Sequence, residues 1–508
     1  MREFELTRNF TGGLQLDARK RMSTSQPINR DLLPRRLIIP MTQQSGPAAQ
    51  PVVEPGQTVR RGQMVGVPKE DPTVAVHASR AGIVTAIIEC AIPGGSQLIV
   101  TKCVMLEVDE SDSTSAIESP WPPREEDQCN ALRDAGIVGL GGAAYPTSTK
   151  LSDNRQCDIL ILNGAECEPY ISCDDALMRE QAPEIISGAR TMLDLLNAKE
   201  CVVAIERDKP VAIKAISDAI DAIRDDRFAI AAVPTVYPAG GERQLVEILT
   251  GKEVPSGDYP IASGCVCQNV GTAFALDRLT TRREPLLTRI VTVTGEGIAH
   301  PQNVEVPIGT PIRELIEFCG GYVEGVTRLI HGGTMMGYAI SSDELPITKA
   351  TNCVVAARES ETRDRYDEWP CIRCGDCTEV CPTRLLPQEL LRYSKSFGFE
   401  QLDGLGLRDC IECGCCDVVC PSRIPLTAYF RGAKHAWAKH EQHQALADTS
   451  HLRYLSKQER LQLRDSEVNS FRNELKAQVA TDSMTRQETI QASIDRVQRR
   501  RSDEDGSD

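Results

Sequence analysis

The chain has 508 residues, 41% hydrophobic and only 4% aromatic, with a formal net charge of −15. That length allows three or more domains with ordinary cores, while the acidic balance and scarce aromatics argue against a nucleic-acid surface. No run approaches the roughly 18 consecutive apolar residues of a membrane-spanning helix. The charged start Met1-Arg-Glu-Phe-Glu lacks the apolar core of a signal peptide, which predicts a cytoplasmic protein. In that compartment the 20 cysteines stay reduced, and a tight cluster of them reads as a metal site.

The expected fold is multi-domain α/β. Residues 1–35 form a polar N-terminal extension with few periodic signals. From 36 to 118, short β segments are punctuated at Pro55-Gly56, Arg61-Gly62 and Ala81-Gly82, with strands at 74–77 and 82–88. The string from Val52 to Val65 resembles a lipoyl-type barrel-sandwich domain. Lys69, in Pro68-Lys-Glu-Asp-Pro72, does not match the modified lysine of such carriers, so a structural domain is expected. A Ser/Glu/Pro-rich stretch at 111–127 reads as a linker. Residues 119–285 alternate strand and helix, with strands at 159–162 and 201–205 and helices at 184–197 and 211–223, a Rossmann-like pattern. Residues 286–355 read as a small β-grasp-like domain of the soluble-ligand-binding type: a hairpin at 290–294 and 303–306, then a helix at 311–319. An α-helical two-cluster ferredoxin domain follows at 360–435. The charged tail at 436–508 reads as a solvated helix with a disordered acidic end.

Nine of the 20 cysteines fall between Cys371 and Cys420. They spell Cys371-x2-Cys374-x2-Cys377-x3-Cys381-Pro382 and Cys410-x2-Cys413-x2-Cys416-x3-Cys420-Pro421. Soft thiolates suit iron–sulfur clusters, and this spacing is the bacterial two-cluster signature, whose fourth cysteine ligates the other cluster. Cluster one is therefore assigned Cys371, Cys374, Cys377 and Cys420, and cluster two Cys410, Cys413, Cys416 and Cys381. Cys415 falls outside the frame and is a bystander. Paired zinc sites are the rival, but zinc motifs join two short Cys arms across a longer gap. Arg373, Arg384 and Arg423 beside the ligands are either ordinary surface charge or tune the clusters and dock an acidic partner.

Two further segments bear on cofactors. In Gly136-Ile-Val-Gly-Leu-Gly-Gly-Ala-Ala-Tyr-Pro-Thr-Ser-Thr-Lys150, Gly139, Gly141 and Gly142 leave bare backbone for an anionic cofactor, and Lys150 adds a point charge. A plain turn is the alternative. Asn163-Gly-Ala-Glu-Cys-Glu-Pro169 follows the strand at 159–162, where open α/β sheets bind ligands. Asn163 can bond a flavin edge and Glu166 or Glu168 a ribose or amide; helix capping is the alternative role. His77 and His331 are read as structural.

These segments resemble the NADH- and FMN-binding subunit of respiratory complex I at Gly139, Gly141, Gly142, Ala143, Pro146, Thr147 and Lys150, and at Asn163, Glu166, Glu168 and Pro169. They depart at Ala144 and Tyr145, where that subunit has Gly and Phe, and at Ala165, where it has an Asp facing the flavin. The chain is still more similar to the C subunit of the Rnf/Rsx ion-translocating electron transport complex over residues 30–435. That resemblance is carried by Gly139-Leu-Gly-Gly142, Ala165-Glu-Cys-Glu-Pro-Tyr170, Gly240-Gly-Glu242, Thr250-Gly-Lys-Glu-Val-Pro-Ser-Gly257, Met335-Met-Gly337 and the two cysteine runs. It implies FMN held near Gly139, Gly141, Gly142, Lys150, Asn163, Glu166, Glu168 and Glu242, NAD(H) as substrate and two [4Fe–4S] clusters as relay. It also implies partner subunits of a membrane complex, a ferredoxin-type subunit or soluble ferredoxin as redox partner, a peripheral place on the cytoplasmic face of the bacterial inner membrane, and coupling to Na⁺ or H⁺ movement. No catalytic acid or base is assigned, because the cofactors carry the chemistry. The rivals are a soluble NADH-linked diaphorase subunit, separated by membrane fractionation, and a cluster-bearing scaffold without flavin.

Overall fold

Alternating apolar residues build the first two layers. The computed structural model describes residues 2–95, 97–109, 117–123, 125–152, 156–362 and 367–504. Strands β1 (Arg36–Pro40), β2 (Gln50–Pro51), β3 (Thr58–Val59), β4 (Met64–Val67), β5 (Val76–His77), β6 (Gly82–Pro93) and β7 (Leu98–Val108) form two antiparallel sheets, ordered β1-β7-β6-β3 and β2-β4-β5. Leu37, Ile39, Val59, Val65, Val84, Val104 and Leu106 fill the space between them. The hairpin β6–β7 continues beyond the strand expected at 82–88, because Ile88 to Pro93 stay in register with Cys103 to Leu98. The segment expected as a strand at 74–77 is extended only at Val76–His77.

Helix α1 (Glu125–Asp134) starts inside the expected linker, of which residues 111–116 and 124 lie outside the described residues. Then come α2 (Thr147–Leu151), β8 (Ile159–Gly164), α3 (Cys173–Glu180), α4 (Ala182–Leu195), β9 (Glu200–Glu206), α5 (Pro210–Ile223), β10 (Phe228–Val233), α6 (Glu242–Thr250), β11 (Cys265–Asn269) and α7 (Val270–Arg282). The four strands run parallel in the order β10-β9-β8-β11. Their central residues are apolar because helices cover both faces, while the polar Asn163, Glu206, Gln268 and Asn269 fall toward the carboxyl ends. Proline in the first turn of α4 and of α5 presets the helical φ.

A mixed sheet follows, ordered β13-β12-β16-β14-β15. It contains β12 (Thr288–Thr294), β13 (Gln302–Pro307), β14 (Val326–His331), β15 (Tyr338–Ile340) and β16 (Cys353–Arg358), with α8 (Ile312–Phe318) between β13 and β14. The cysteine region is built from short helices: α9 (Asp376–Glu379), α10 (Pro387–Ser396), α11 (Phe399–Gly404) and α12 (Cys415–Val419), followed by α13 (Leu426–Glu504). One compact unit is Met1–Gly432 and a second is Ala433–Asp508. In the second unit every described side chain from 438 to 501 is exposed except half-buried Asp495. The acidic end at 505–508 lies outside the described residues. No described helix is long and apolar enough to cross a membrane.

The polar N-terminal segment is not peripheral. It bridges the sheets at Glu3–Ile230, Leu14–Tyr237 and Asn29–Val304. Both singled-out histidines are buried. His331 bonds Thr351 Oγ1 at 3.0 Å and burial holds its ring down at about 4. His77 is held at about 3 by burial and then by the charge of Lys349. Lys349 is itself 1% exposed, and its Nζ donates to Ala75 O at 3.1 Å and Gly136 O at 2.8 Å, so one amine joins three segments. Burial lowers Lys349 from 10.5 to about 7. Between those values the unfolded chain binds the extra proton, so this group's contribution makes stability rise with pH, by at most about 1.4 kcal/mol per pH unit. Denaturant titrations of the chain and of Lys349→Met at pH 7, 8 and 9 are expected to show that slope reduced in the variant; parallel slopes would place the proton elsewhere.

Candidate functional site

The two cysteine runs adopt the same backbone course. Arg373 (φ 59°) and Glu412 (φ 56°) are left-handed at matching positions, each followed by Cys and then by a positive-φ glycine, Gly375 or Gly414. Arg384 and Arg423, three residues beyond the fourth cysteine of each run, share φ 54°. Left-handed φ is uncommon for residues other than glycine, so its recurrence marks a repeated, tightly turned loop.

The eight cysteines do not group run by run. Cys371, Cys374 and Cys377 line one pocket together with Cys420. Cys410, Cys413 and Cys416 line another with Cys381. The crossing arises because each run turns through its short helix, α9 or α12, before its fourth cysteine. Such clustered thiols with few other polar groups fit a soft metal–sulfur ligand. The cavities differ in setting: Cys371 and Cys374 are exposed, whereas Cys413 and Cys416 are buried. Cys381 Sγ accepts from Leu385 N at 3.4 Å and meets Thr383 Oγ1 at 3.5 Å. Buried Cys415 lines the second cavity beside the frame residues. Arg384 pairs with Glu247, and with Glu253 at 3.2 Å, so its charge is engaged within the chain.

The glycine loop lies at the carboxyl end of the parallel sheet. A Cβ on Gly142 would meet nothing within 4 Å, and one on Gly141 would meet only Asn269, at 3.5 Å. The loop backbone is therefore open on the side where a flat anionic cofactor would be cradled. Buried Thr147 Oγ1, at the first turn of α2, has no hydrogen-bond partner. Lys150 Nζ donates to Glu242 and to Cys267 O at 2.7 Å, which brings two of the expected site residues together.

At the end of β8, Asn163 Oδ1 accepts from Ala165 N at 3.0 Å and its Nδ2 donates to Gly240 O at 2.9 Å. Glu166 is buried, and its Oε1 accepts from Asp174 N at 2.8 Å, at the start of α3. Glu168 Oε1 accepts from Met335 N at 2.6 Å and Met336 N at 3.1 Å. Both carboxylates thus hold backbone amides, and burial raises the Glu168 carboxyl against those donors. Sequence reasoning missed Asp174, Asn269 and Lys20. Asn269 Nδ2 donates to Asp174 Oδ2 at 2.7 Å beside the glycine loop. Desolvation, then the Glu166 charge, pushes Asp174 up to about 6. Asn269 could have been found as the last residue of β11 and the cap of α7; nothing local marks Lys20, whose Nζ stands 3.6 Å from Glu166 Oε2.

The second cysteine cavity abuts this turn. Tyr237 Oη donates to Cys413 O at 2.7 Å, and Tyr237, Cys413 and Cys415 share an apolar cluster with Cys167 and Met335. Tyr237 sits in the turn that ends at Gly240, whose carbonyl Asn163 holds.

Four family models match successive stretches. They are the RnfC barrel sandwich hybrid domain over 8–111, the Nuo51 FMN-binding domain over 132–278, the SLBB domain over 290–339 and a 4Fe-4S dicluster domain over 352–424. The chain is 42% identical over 464 residues to the C subunit of the ion-translocating oxidoreductase complex of Pseudomonas aeruginosa PAO1, covering 90% of this chain and 59% of that protein. It is 39% identical over 507 residues to the protein of the same name from Yersinia pestis bv. Antiqua (strain Antiqua), covering 98% of this chain and 80% of that protein. Among solved structures it is similar to a chain of an NAD⁺-reducing [NiFe]-hydrogenase in the air-oxidized state, with TM-score 0.44 and 18% identity, covering 61% of this chain and 64% of that one.

Proposed function

This chain belongs to the family of the C subunits of ion-translocating oxidoreductase complexes, and from that premise we propose that it is the NAD(H)-side module of the complex. It is an electron-transfer subunit with an FMN-binding domain and a 4Fe-4S dicluster domain. In the proposed reading NADH delivers a hydride, the electrons leave one at a time through two clusters, and the complex couples this to Na⁺ or H⁺ movement, with ferredoxin as the other redox partner. FMN supplies the two-electron to one-electron conversion when bound, and the clusters accept single electrons.

The chain's own residues have distinct parts in this scheme. The 139–142 backbone and Lys150 hold the cofactor's anionic side, with Glu242 fixing the lysine. Asn163 orients the turn by gripping Gly240, and Glu166 and Glu168 shape the nucleotide side while tying that turn to α3 and to Met335. Cys371, Cys374, Cys377 and Cys420 hold cluster one, and Cys410, Cys413, Cys416 and Cys381 hold cluster two. The observation that carries the reading is the contact of Tyr237 with Cys413 O, which seats the second cavity against the flavin-side turn. With the clusters bound, electrons would enter on the side of Cys410, Cys413, Cys416 and Cys381 and leave on the side of Cys371, Cys374, Cys377 and Cys420. Trp369 and Ile372, 65% and 68% exposed, flank that exit. In the same reading the chain is held at the cytoplasmic face of the membrane by partner subunits of the complex.

Anaerobic purification with iron, sulfide and flavin counted per chain tests this reading: about eight irons and eight sulfides are expected, with one FMN and bleaching of the flavin by NADH. A flavin-free chain with full iron would reduce it to a cluster-bearing scaffold. Cys415→Ser is expected to retain all the iron, since Cys415 lies outside both ligand sets. Loss of half the iron in that variant would show that the frame is wrong.

A further inference from the structure

One short stretch of the N-terminal segment touches both sides of the flavin-to-cluster gap. Gly13 N donates to Val380 O at 2.9 Å, and a Cβ on Gly12, whose φ is +73°, would sit 2.8 Å from Cys381 O. Leu14 exchanges both backbone hydrogen bonds with Tyr237, at 2.7 and 2.9 Å, and Tyr237 in turn donates to Cys413 O. The Leu14 side chain packs into the same apolar cluster as Cys413. Farther along, Ala18 O accepts from Tyr170 N at 2.8 Å, and Lys20 Nζ donates to Glu166 O. The anchors are backbone contacts, the apolar packing of Leu14 and the half-buried charge of Lys20. A segment pinned at Gly13, Leu14, Ala18 and Lys20 has few free residues between its contacts with which to absorb a shift at one of them.

We propose that residues 10–20 are a positioning strap: they set the gap between the 163–168 turn and cluster two, and so the rate of single-electron transfer across it, with Gly12 and Leu14 as its positioning residues. The proposal rests on the flavin-to-cluster reading above. Each transfer moves one electron and breaks no bond. With FMN bound, the NADH hydride would pass to the flavin and leave NAD⁺; its two electrons would then cross singly to cluster two and on to cluster one, and the proton would go to solvent.

The test uses the full chain, purified anaerobically with its clusters and FMN. Gly12→Val forces a side chain against the Cys381 carbonyl at a φ that only glycine adopts readily. It is expected to slow NADH-driven bleaching of the clusters by about tenfold or more, as misplacement of reacting centres does. Flavin bleaching, NADH–ferricyanide activity and iron content should stay as in the unmodified chain. Amide exchange at Leu14 and Tyr237, which reads the strap itself, should accelerate in parallel. Unchanged cluster bleaching, or a fall in flavin bleaching by the same factor, overturns the proposal. If Gly12→Val loses iron, Leu14→Ala decides, because it removes packing and leaves the backbone pairing: slowed cluster bleaching at full iron supports the strap, and normal bleaching overturns it. Repeating the measurement with bound FMN photoreduced by EDTA takes NADH out of the experiment. Failure of the NADH reading and failure of the strap are thereby told apart.

Discussion

Cys381→Ala is expected to empty the cluster site formed by the second cysteine run, while the site formed by the rest of its own run stays loaded. Iron should fall from about eight to about four per chain, and the surviving paramagnetic signal should be that of the solvent-facing cluster. The reason is spatial. Cys381 lines the cavity of Cys410, Cys413 and Cys416, and Cys420 lines that of Cys371, Cys374 and Cys377. A cubane with three thiolates lacks its fourth ligand. Cys420→Ala should give the mirror result. Iron and sulfide analysis with spectroscopy of the dithionite-reduced variants checks both. If Cys381→Ala kept the buried cluster and lost the exposed one, each run would hold its own cluster and the electron order proposed here would fall.

The second large effect is expected from Gly141→Val. At Gly141 an added Cβ meets only the Asn269 side chain, at an ordinary contact distance of 3.5 Å, and the backbone φ is not left-handed. The folded chain therefore accepts the valine. A cofactor lying on the bare backbone does not, because the isopropyl group occupies the approach that glycine leaves open. Flavin content and NADH-dependent dye reduction should fall together, by about a hundredfold for the reduction, with iron unchanged and the thermal midpoint within a few degrees. Gly142 is the poorer probe, since at φ +103° any side chain strains the loop and confuses loss of fold with loss of ligand. Full dye reduction in Gly141→Val would mean that electrons enter away from this loop.

The strands at 159–162 and 201–205 and the helices at 184–197 and 211–223 were legible because fully buried parallel strands and amphipathic helices leave different hydrophobic periods. Observed ends moved by only a residue or two, as with α4 at Ala182–Leu195. The β6–β7 hairpin was underestimated, since past Ile88 its pairing is set by its partner strand rather than by alternation along itself. In the site, local motifs named the glycine loop and the strand-end turn. They could not say that Lys150 would be paired with Glu242 or that Glu168 would be held by Met335 and Met336, because those partners come from distant segments.

The sequence by itself determined which residues have metal-binding chemistry. Thiolate softness and the x2-x2-x3 spacing are local properties, and eight cysteines in that frame need no fold to be read. The style of each sheet was equally local, because burial on one face or on both is written into the alternation of side chains. What only the tertiary structure decided is adjacency. It seats the second cavity, rather than the first, against the turn held by Asn163 through Tyr237, and leaves Cys371 and Cys374 exposed. It also threads the unpatterned N-terminal segment between Cys381 and Glu166, through hydrogen bonds of Gly13, Leu14 and Ala18. Every residue carries a backbone acceptor and every one but proline a donor, and neither has a side-chain signature. A segment held mainly by them is invisible in sequence until the surfaces it joins are folded.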